Sequence, residues 1–372
     1  MNEFRTIHRL VVKVGSSVLT NTTGRLLPER LGHLADQLAG CVAEGRQPLL
    51  VTSGAIACGM GKLGLSRRPT ALAQLQACAA IGQGELMRLY AEAFGRHGVL
   101  AAQVLVTQED LGNQRRFRNA KQTLLTLLHR RAVPIINEND TVSVEEITFG
   151  DNDRLAALVA AAVNAQLLVL LSDVDGFLQN GKPLERVEAI TRGHRASVQA
   201  GARQTTKGGI ASKLEAARIA GHSGIPMVLA NGTRAGVVTD LLAGEPVGTL
   251  FMPARTRLTA KKWWLAFALR EPRGSVTVDA GAARALIEEG HSLLASGIVG
   301  VRGRFEAGAF VTVEDAAGTE LARGVCNFSS SELARIKGMK SADAARLLGE
   351  PRGREVIHRD RLVLAKELRH GE

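Results

Sequence analysis

Short apolar runs rich in Val, Leu and Ile recur along the first two thirds of the chain, at 10–14, 49–52, 101–106, 133–136, 167–171 and 227–230. Continuous rather than alternating runs predict strands buried on both faces. Between them, at 28–44, 71–94, 113–131, 154–163 and 210–222, apolar residues return every three or four positions and predict amphipathic helices. Strands and helices in alternation predict an α/β fold, an open, mostly parallel sheet sandwiched by helices. Past residue 254 the pattern changes. Pro253-Ala254-Arg255-Thr256-Arg257 is a short basic connector, and 275–278, 297–301, 310–314 and 322–326 are short strands between Gly-rich turns, a small mostly-β module. The expected division is a first domain over 1–254, a linker over 255–273, and a second domain with a C-terminal tail over 274–372.

Composition narrows the class. A chain of 372 residues with 45% hydrophobic content can bury sizeable cores. Cys41, Cys58, Cys78 and Cys326 are widely spaced, with no zinc-type spacing, so a reducing cytoplasm is the expected setting. The run 10–19 is interrupted by Lys13, Gly15, Ser16 and Ser17, and the stretch 155–171 is broken by Asn164 and Gln166. Neither predicts a signal peptide or a membrane span. The net charge of +11 divides into +6 over 1–254 and +5 over 255–372, spread rather than gathered, though denser toward the C-terminus. A generally basic surface accounts for the first region, and nucleic-acid binding stays open for the second.

The densest polar feature is a pair of clusters, Asn137-Glu138-Asn139-Asp140 and Gly150-Asp151-Asn152-Asp153, flanking a hairpin-like stretch after the fourth strand. One cluster alone reads as a turn that caps a helix. Two, at the carboxyl end of a buried strand where α/β sheets place ligands, suit a small molecule bearing an ammonium and a carboxylate. The first strand delivers Lys13-Val14-Gly15-Ser16-Ser17, a lysine and a glycine turn that can cradle phosphate. The second ends in Thr52-Ser53-Gly54-Ala55, either a carboxylate site at a helix start or an ordinary N-cap serine. A third turn, Lys207-Gly208-Gly209, opens a helix with Ile210-Ala211-Ser212-Lys213, where amides and Lys213 can meet nucleotide phosphates. Lys13 and Lys213 are placed to flank a transferring phosphoryl group, with Asp153 as the buried aspartate that holds them. Gly59-Met60-Gly61-Lys62-Leu63-Gly64 matches the dinucleotide fingerprint but starts seven residues after the strand end at Thr52, which weakens an oxidoreductase reading.

The ordered set Val11-Val12-Lys13-Val14-Gly15-Ser16-Ser17, Thr52-Ser53-Gly54-Ala55, Ile136-Asn137-Glu138-Asn139-Asp140, Gly150-Asp151-Asn152-Asp153 and Gly208-Gly209-Ile210-Ala211-Ser212-Lys213 resembles the glutamate 5-kinases of the amino acid kinase superfamily. Residues 274–348, with Thr277-Val278-Asp279-Ala280-Gly281-Ala282 and Ser292-Leu293-Leu294-Ala295-Ser296-Gly297-Ile298, resemble the PUA domain that bacterial members append. The resemblance implies ATP-dependent phosphorylation of the γ-carboxylate of L-glutamate to γ-glutamyl phosphate, the first step toward proline. It implies Lys13, Lys213 and Asp153 as catalytic residues and Ser53, Asp140 and Asn152 as glutamate contacts. Lys13, Gly15, Ser172, Asp173 and Lys207 to Lys213 would bind the nucleotide, and Mg2+ would arrive on the ATP with no protein ligand.

It further implies a homo-oligomer, dimer or tetramer, a product passed to the next enzyme of the pathway, and free proline as an inhibitor, with Thr141–Phe149 the segment to look at. Alternatives are another small-molecule kinase of this fold, or an RNA-binding PUA protein, which the dispersed charge disfavours. One departure stands out. Where the family has a longer glycine-rich run, this chain has Arg203-Gln204-Thr205-Thr206-Lys207-Gly208-Gly209-Ile210, and 179–192 is short for the family.

Overall fold

The computed structural model of the chain describes residues 2–142, 151–179, 181–191, 194, 209–254, 258–269, 272–349 and 355–368. The chain divides into two units, Met1–Arg257 and Leu258–His370. In the first, the strands are β1 (Arg9–Val14), β2 (Gln47–Val51), β3 (Ala101–Val106), β4 (Val133–Glu138), β5 (Leu167–Ser172), a small hairpin of β6 (Leu178–Gln179) and β7 (Lys182–Pro183), then β8 (Arg186–Val187), β9 (Met227–Asn231) and β10 (Thr249–Phe251). The helices are α1 (Ser16–Leu19), α2 (Pro28–Ala43), α3 (Ala55–Lys62), α4 (Leu72–Gly95), α5 (Gln108–Gly112), α6 (Gln114–His129), α7 (Asp151–Ala162), α8 (Gly209–His222) and α9 (Val237–Ala243).

One eight-stranded sheet runs β3-β4-β2-β1-β5-β9-β10-β8. Every pair is parallel except β9 with β10. All six apolar runs are strands of this sheet, and the five amphipathic stretches supply α2, α4, α6, α7 and α8. The run 167–171 is buried at every position because helices cover both faces of β5. The run 101–106 is different. It forms the edge strand β3, and Gln103 and Leu105 are exposed there. The run 133–136 continues through Glu138, which turns Asn137 from a loop residue into a buried strand residue.

After β1 the chain builds β2, β3 and β4 to one side of it, then crosses to β5 and β9 on the other. Strand order therefore reverses at β1, which puts the carboxyl ends of the central strands at a topological switch point, where open α/β sheets take ligands. α3 and α4 close one flank by unusually near approach. A Cβ on Gly59 would stand 1.8 Å from the Cys78 carbonyl oxygen, and one on Gly82 would stand 1.8 Å from that of Ala55. The glycines of the apparent dinucleotide fingerprint thus lie in or just beyond a helix, and Gly59 serves helix packing, not a strand-to-helix phosphate turn.

In the second unit a five-stranded sheet runs Ile298–Arg302, Ser275–Val278, Phe310–Glu314, Glu320–Val325 and Leu362–Leu364, around a core that includes Val276, Val311, Ala322, Cys326 and Leu364. Within the stretch 255–273, Ala260–Trp263 is an α-helix that continues as a π-helical turn over Trp264–Ala268, with Leu265 and Phe267 buried. No described helix is long and apolar enough to cross a membrane.

Candidate active site

The carboxyl ends of the central strands bring the separate turns together. Lys13, the penultimate residue of β1, is a charged residue within the buried part of the strand, and its side chain is 8% exposed. Two residues on, Gly15 caps α1 and donates its N–H to the Leu171 carbonyl at 3.0 Å. The glycine is not needed for an unusual backbone angle, since its φ is −76°. A Cβ there would stand 3.6 Å from Lys13 Nζ, beside the ammonium.

Asn152 and Asp153 are the second and third residues of α7. Neighbouring side chains on a helix point roughly 100° apart, and that divergence separates two tasks. Asp153, 1% exposed, pairs its Oδ1 with the Lys13 ammonium at 2.6 Å and its Oδ2 with that of Lys213 at 3.5 Å. Ser212 Oγ donates to the same Oδ2 at 2.8 Å. Lys213 Nζ also donates to the Gly209 carbonyl at 2.9 Å, within the first turn of α8. Burial pushes the Asp153 carboxyl up, but the two ammonium charges and their hydrogen bonds outweigh it and hold the group below the usual carboxylate range. Burial lowers Lys13, with Asp153 opposing. Two lysines around one carboxylate leave a net positive centre, which suits a phosphoryl group.

Asn152 faces the other way. Its amide Nδ2 donates to the Thr52 carbonyl at 2.9 Å, Ser53 Oγ at 3.0 Å and Asn137 Oδ1 at 3.1 Å. Ser53 is therefore not the N-cap of α3. Gly54 takes that place at φ 103°, a left-handed angle that favours glycine. Asp140 follows β4 and is half-buried, and its charge acts on Arg68, whose guanidinium is lowered by burial and partly restored by Asp140.

At the end of β5, Ser172 is buried and donates Oγ to Asp173 Oδ1 at 3.1 Å, while exposed Asp173 acts on Lys13 through its charge. Gly209, Ile210 and Ala211 form the start of α8 with Ser212 and Lys213. Lys207, Gly208, Gly150 and most of the 141–149 stretch lie outside the described residues, as do 203–206.

The geometry thus joins Lys13, Asp153, Ser212 and Lys213 in one group and Ser53 and Asn152 in another. It also adds residues that sequence reasoning missed. Thr52 meets Asn152 through its backbone carbonyl, which no side-chain pattern reveals. Asn137 was in view as part of a cluster, but placing the strand end at Ile136 hid its burial. Gln83 and Tyr90, on α4, reach the strand ends from behind: Asn137 Nδ2 donates to Gln83 Oε1 at 2.9 Å, and Thr52 Oγ1 and Tyr90 Oη share a hydrogen bond at 2.8 Å. Nothing local distinguishes them from other helix residues.

A parallel sheet with a lysine-bearing first strand, a glycine turn and a second lysine at a helix start defines a small-molecule kinase site. The sequence profile of the Amino acid kinase family matches residues 8–231, and that of the PUA domain matches 274–348. Among curated relatives, glutamate 5-kinase of Moorella thermoacetica is 45% identical over 96% of this chain and 96% of its own length. Those of Geobacter metallireducens and Trichlorobacter lovleyi are 46% and 45% identical over 96% of this chain, with 98% and 97% of their own lengths covered. The chain belongs to the amino acid kinase family, in its glutamate 5-kinase branch with a C-terminal PUA domain.

Proposed function

We propose that this protein transfers the γ-phosphoryl group of ATP to the γ-carboxylate of L-glutamate, giving γ-glutamyl phosphate, the first step toward proline. The observation that carries this reading is the buried Lys13–Asp153–Lys213 group beside the Ser53–Asn152 network. A carboxylate acceptor is already ionised near neutral pH, with a pKa of about 4.3, so its attack on phosphorus requires no general base. What the reaction requires is positive charge along the path of the phosphoryl group. Lys13 and Lys213 supply it, and Asp153 fixes both ammonium groups so that little reorganisation is left for the reactive step. Gly15, Ser172, Asp173 and the segment Lys207 to Lys213 take the nucleotide, while Ser53, Asp140 and Asn152 hold the amino acid.

Magnesium enters with ATP on phosphate oxygens and water. The product is an acyl phosphate, prone to hydrolysis, which favours prompt transfer to the enzyme that consumes it. Inhibition by free proline, a dimeric or tetrameric state and a cytoplasmic location belong to the same reading. The domain limits 1–254 and 274–372, joined through 255–273, belong to it as well.

ADP release is measured with a panel of acceptors, with hydroxylamine trapping of the acyl phosphate. Glutamate is expected to outperform aspartate, acetylglutamate and nucleoside monophosphates. A higher kcat/KM for any of these overturns the assignment.

A further inference from the structure

We propose that Gln83 is a positioning residue for substrate binding, acting through Asn137 on Asn152; this rests on the reading of Asn152 as a glutamate contact. The polarity of the three carboxamides is fixed from one end. The Thr52 carbonyl can only accept, so Asn152 must turn its Nδ2 toward it and toward Asn137 Oδ1. Asn137 Oδ1 also accepts the Glu138 backbone N–H at 3.0 Å, which leaves Asn137 Nδ2 to donate to Gln83 Oε1 at 2.9 Å. Gln83 is the acceptor that closes the relay.

Each end of this relay is a half-buried residue with one buried atom that has no hydrogen-bond partner: Asn152 Oδ1, an acceptor, and Gln83 Nε2, a donor. A group retained only for packing would be better served by an apolar side chain, because an unmet buried donor works against the fold. What the relay provides is orientation. With Asn152 Nδ2 committed to protein acceptors, its Oδ1 is the atom left for a donor, and the ammonium of an amino acid is such a donor. The near crossing at Gly82 brings α4 against the start of α3 and so sets the depth at which the next residue, Gln83, meets β4. Tyr90, seven residues further along the same helix, braces Thr52.

The test compares Gln83→Met, which fills the space without an acceptor, with Gln83→Glu, whose carboxylate still accepts from Asn137 Nδ2. In Gln83→Met the KM for glutamate is expected to rise about five- to tenfold, the loss of one well-oriented hydrogen bond, with kcat and the KM for ATP within twofold. Gln83→Glu restores most of the loss. Glutarate, the same dicarboxylate without the ammonium, serves as a competitive inhibitor, and its inhibition constant is expected to be the same in wild type and Gln83→Met. A merely structural role would weaken glutamate and glutarate alike, and that result, or an unchanged glutamate KM, overturns the proposal. If the wild type forms no glutamate-dependent ADP, the functional assignment fails instead, a separate outcome read before any variant is made.

Discussion

Replacing Asp153 by Asn removes one charge and almost no volume, so it isolates what the carboxylate does. At an effective dielectric of about 20, unit charges at 2.6 Å and 3.5 Å attract by roughly 6 and 5 kcal/mol before desolvation is counted. Desolvation of three buried ions offsets most of that gross attraction, but the variant keeps the cost of burying the lysines and loses their partner. Breaking a buried pair in this way costs about 3–5 kcal/mol. Lys13, already lowered by burial, limits the loss by shedding its proton.

The same event removes a cation from the phosphoryl path and loosens the other, and kcat is expected to fall about 10²- to 10³-fold. Urea unfolding and glutamate-dependent ADP release are measured on the same preparation. Because the variant leaves one cation instead of two to meet the phosphates, saturating ATP should raise the unfolding midpoint of Asp153→Asn by less than that of the wild type. A folded Asp153→Asn protein within threefold of wild-type kcat would refute the reasoning. So would equal stabilisation of both proteins by ATP.

Two further outcomes follow from the same geometry. Lys13 has a folded pKa below its unfolded value of 10.5, so between the two the unfolded chain keeps a proton that the native site has shed. Stability from this group should therefore rise with pH across that window while kcat falls, and the acid window at Asp153 has the same sign, its contribution being present above 3.8 and lost as pH drops through its lower folded value; unfolding midpoints and a kcat–pH profile check both windows. Gly15→Ala should fold with a stability change within about 1 kcal/mol, since the added Cβ meets nothing closer than 3.5 Å. It should nevertheless lower kcat/KM for ATP at least about tenfold, or 1.4 kcal/mol, by taking space beside the Lys13 ammonium that a phosphate oxygen would enter, and steady-state kinetics at varied ATP would expose an error if the two constants stayed equal.

Much of this molecule was determined by sequence alone. Unbroken Val, Leu and Ile runs can be satisfied only between two helical layers, so the parallel sheet and its helices followed from periodicity. The lysine-glycine turns and the paired Asx clusters marked the chemistry, because charged and carboxamide side chains at strand ends have few other reasons to gather. Tertiary structure decided the rest. Whether 101–106 lay at the edge or the centre depends on strand order, which no local pattern encodes. Asn152 and Asp153 are adjacent in sequence, and only the helix beginning at Asp151 turns one toward Ser53 and the other toward Lys13. The apparent fingerprint glycines proved to lie in and just beyond a helix because Gly59 packs against the Cys78 backbone. Gln83 was silent for the same physical reason: it stands 54 positions from Asn137, and a hydrogen bond across that separation exists only once the crossing of α3 and α4 has fixed where α4 meets the sheet.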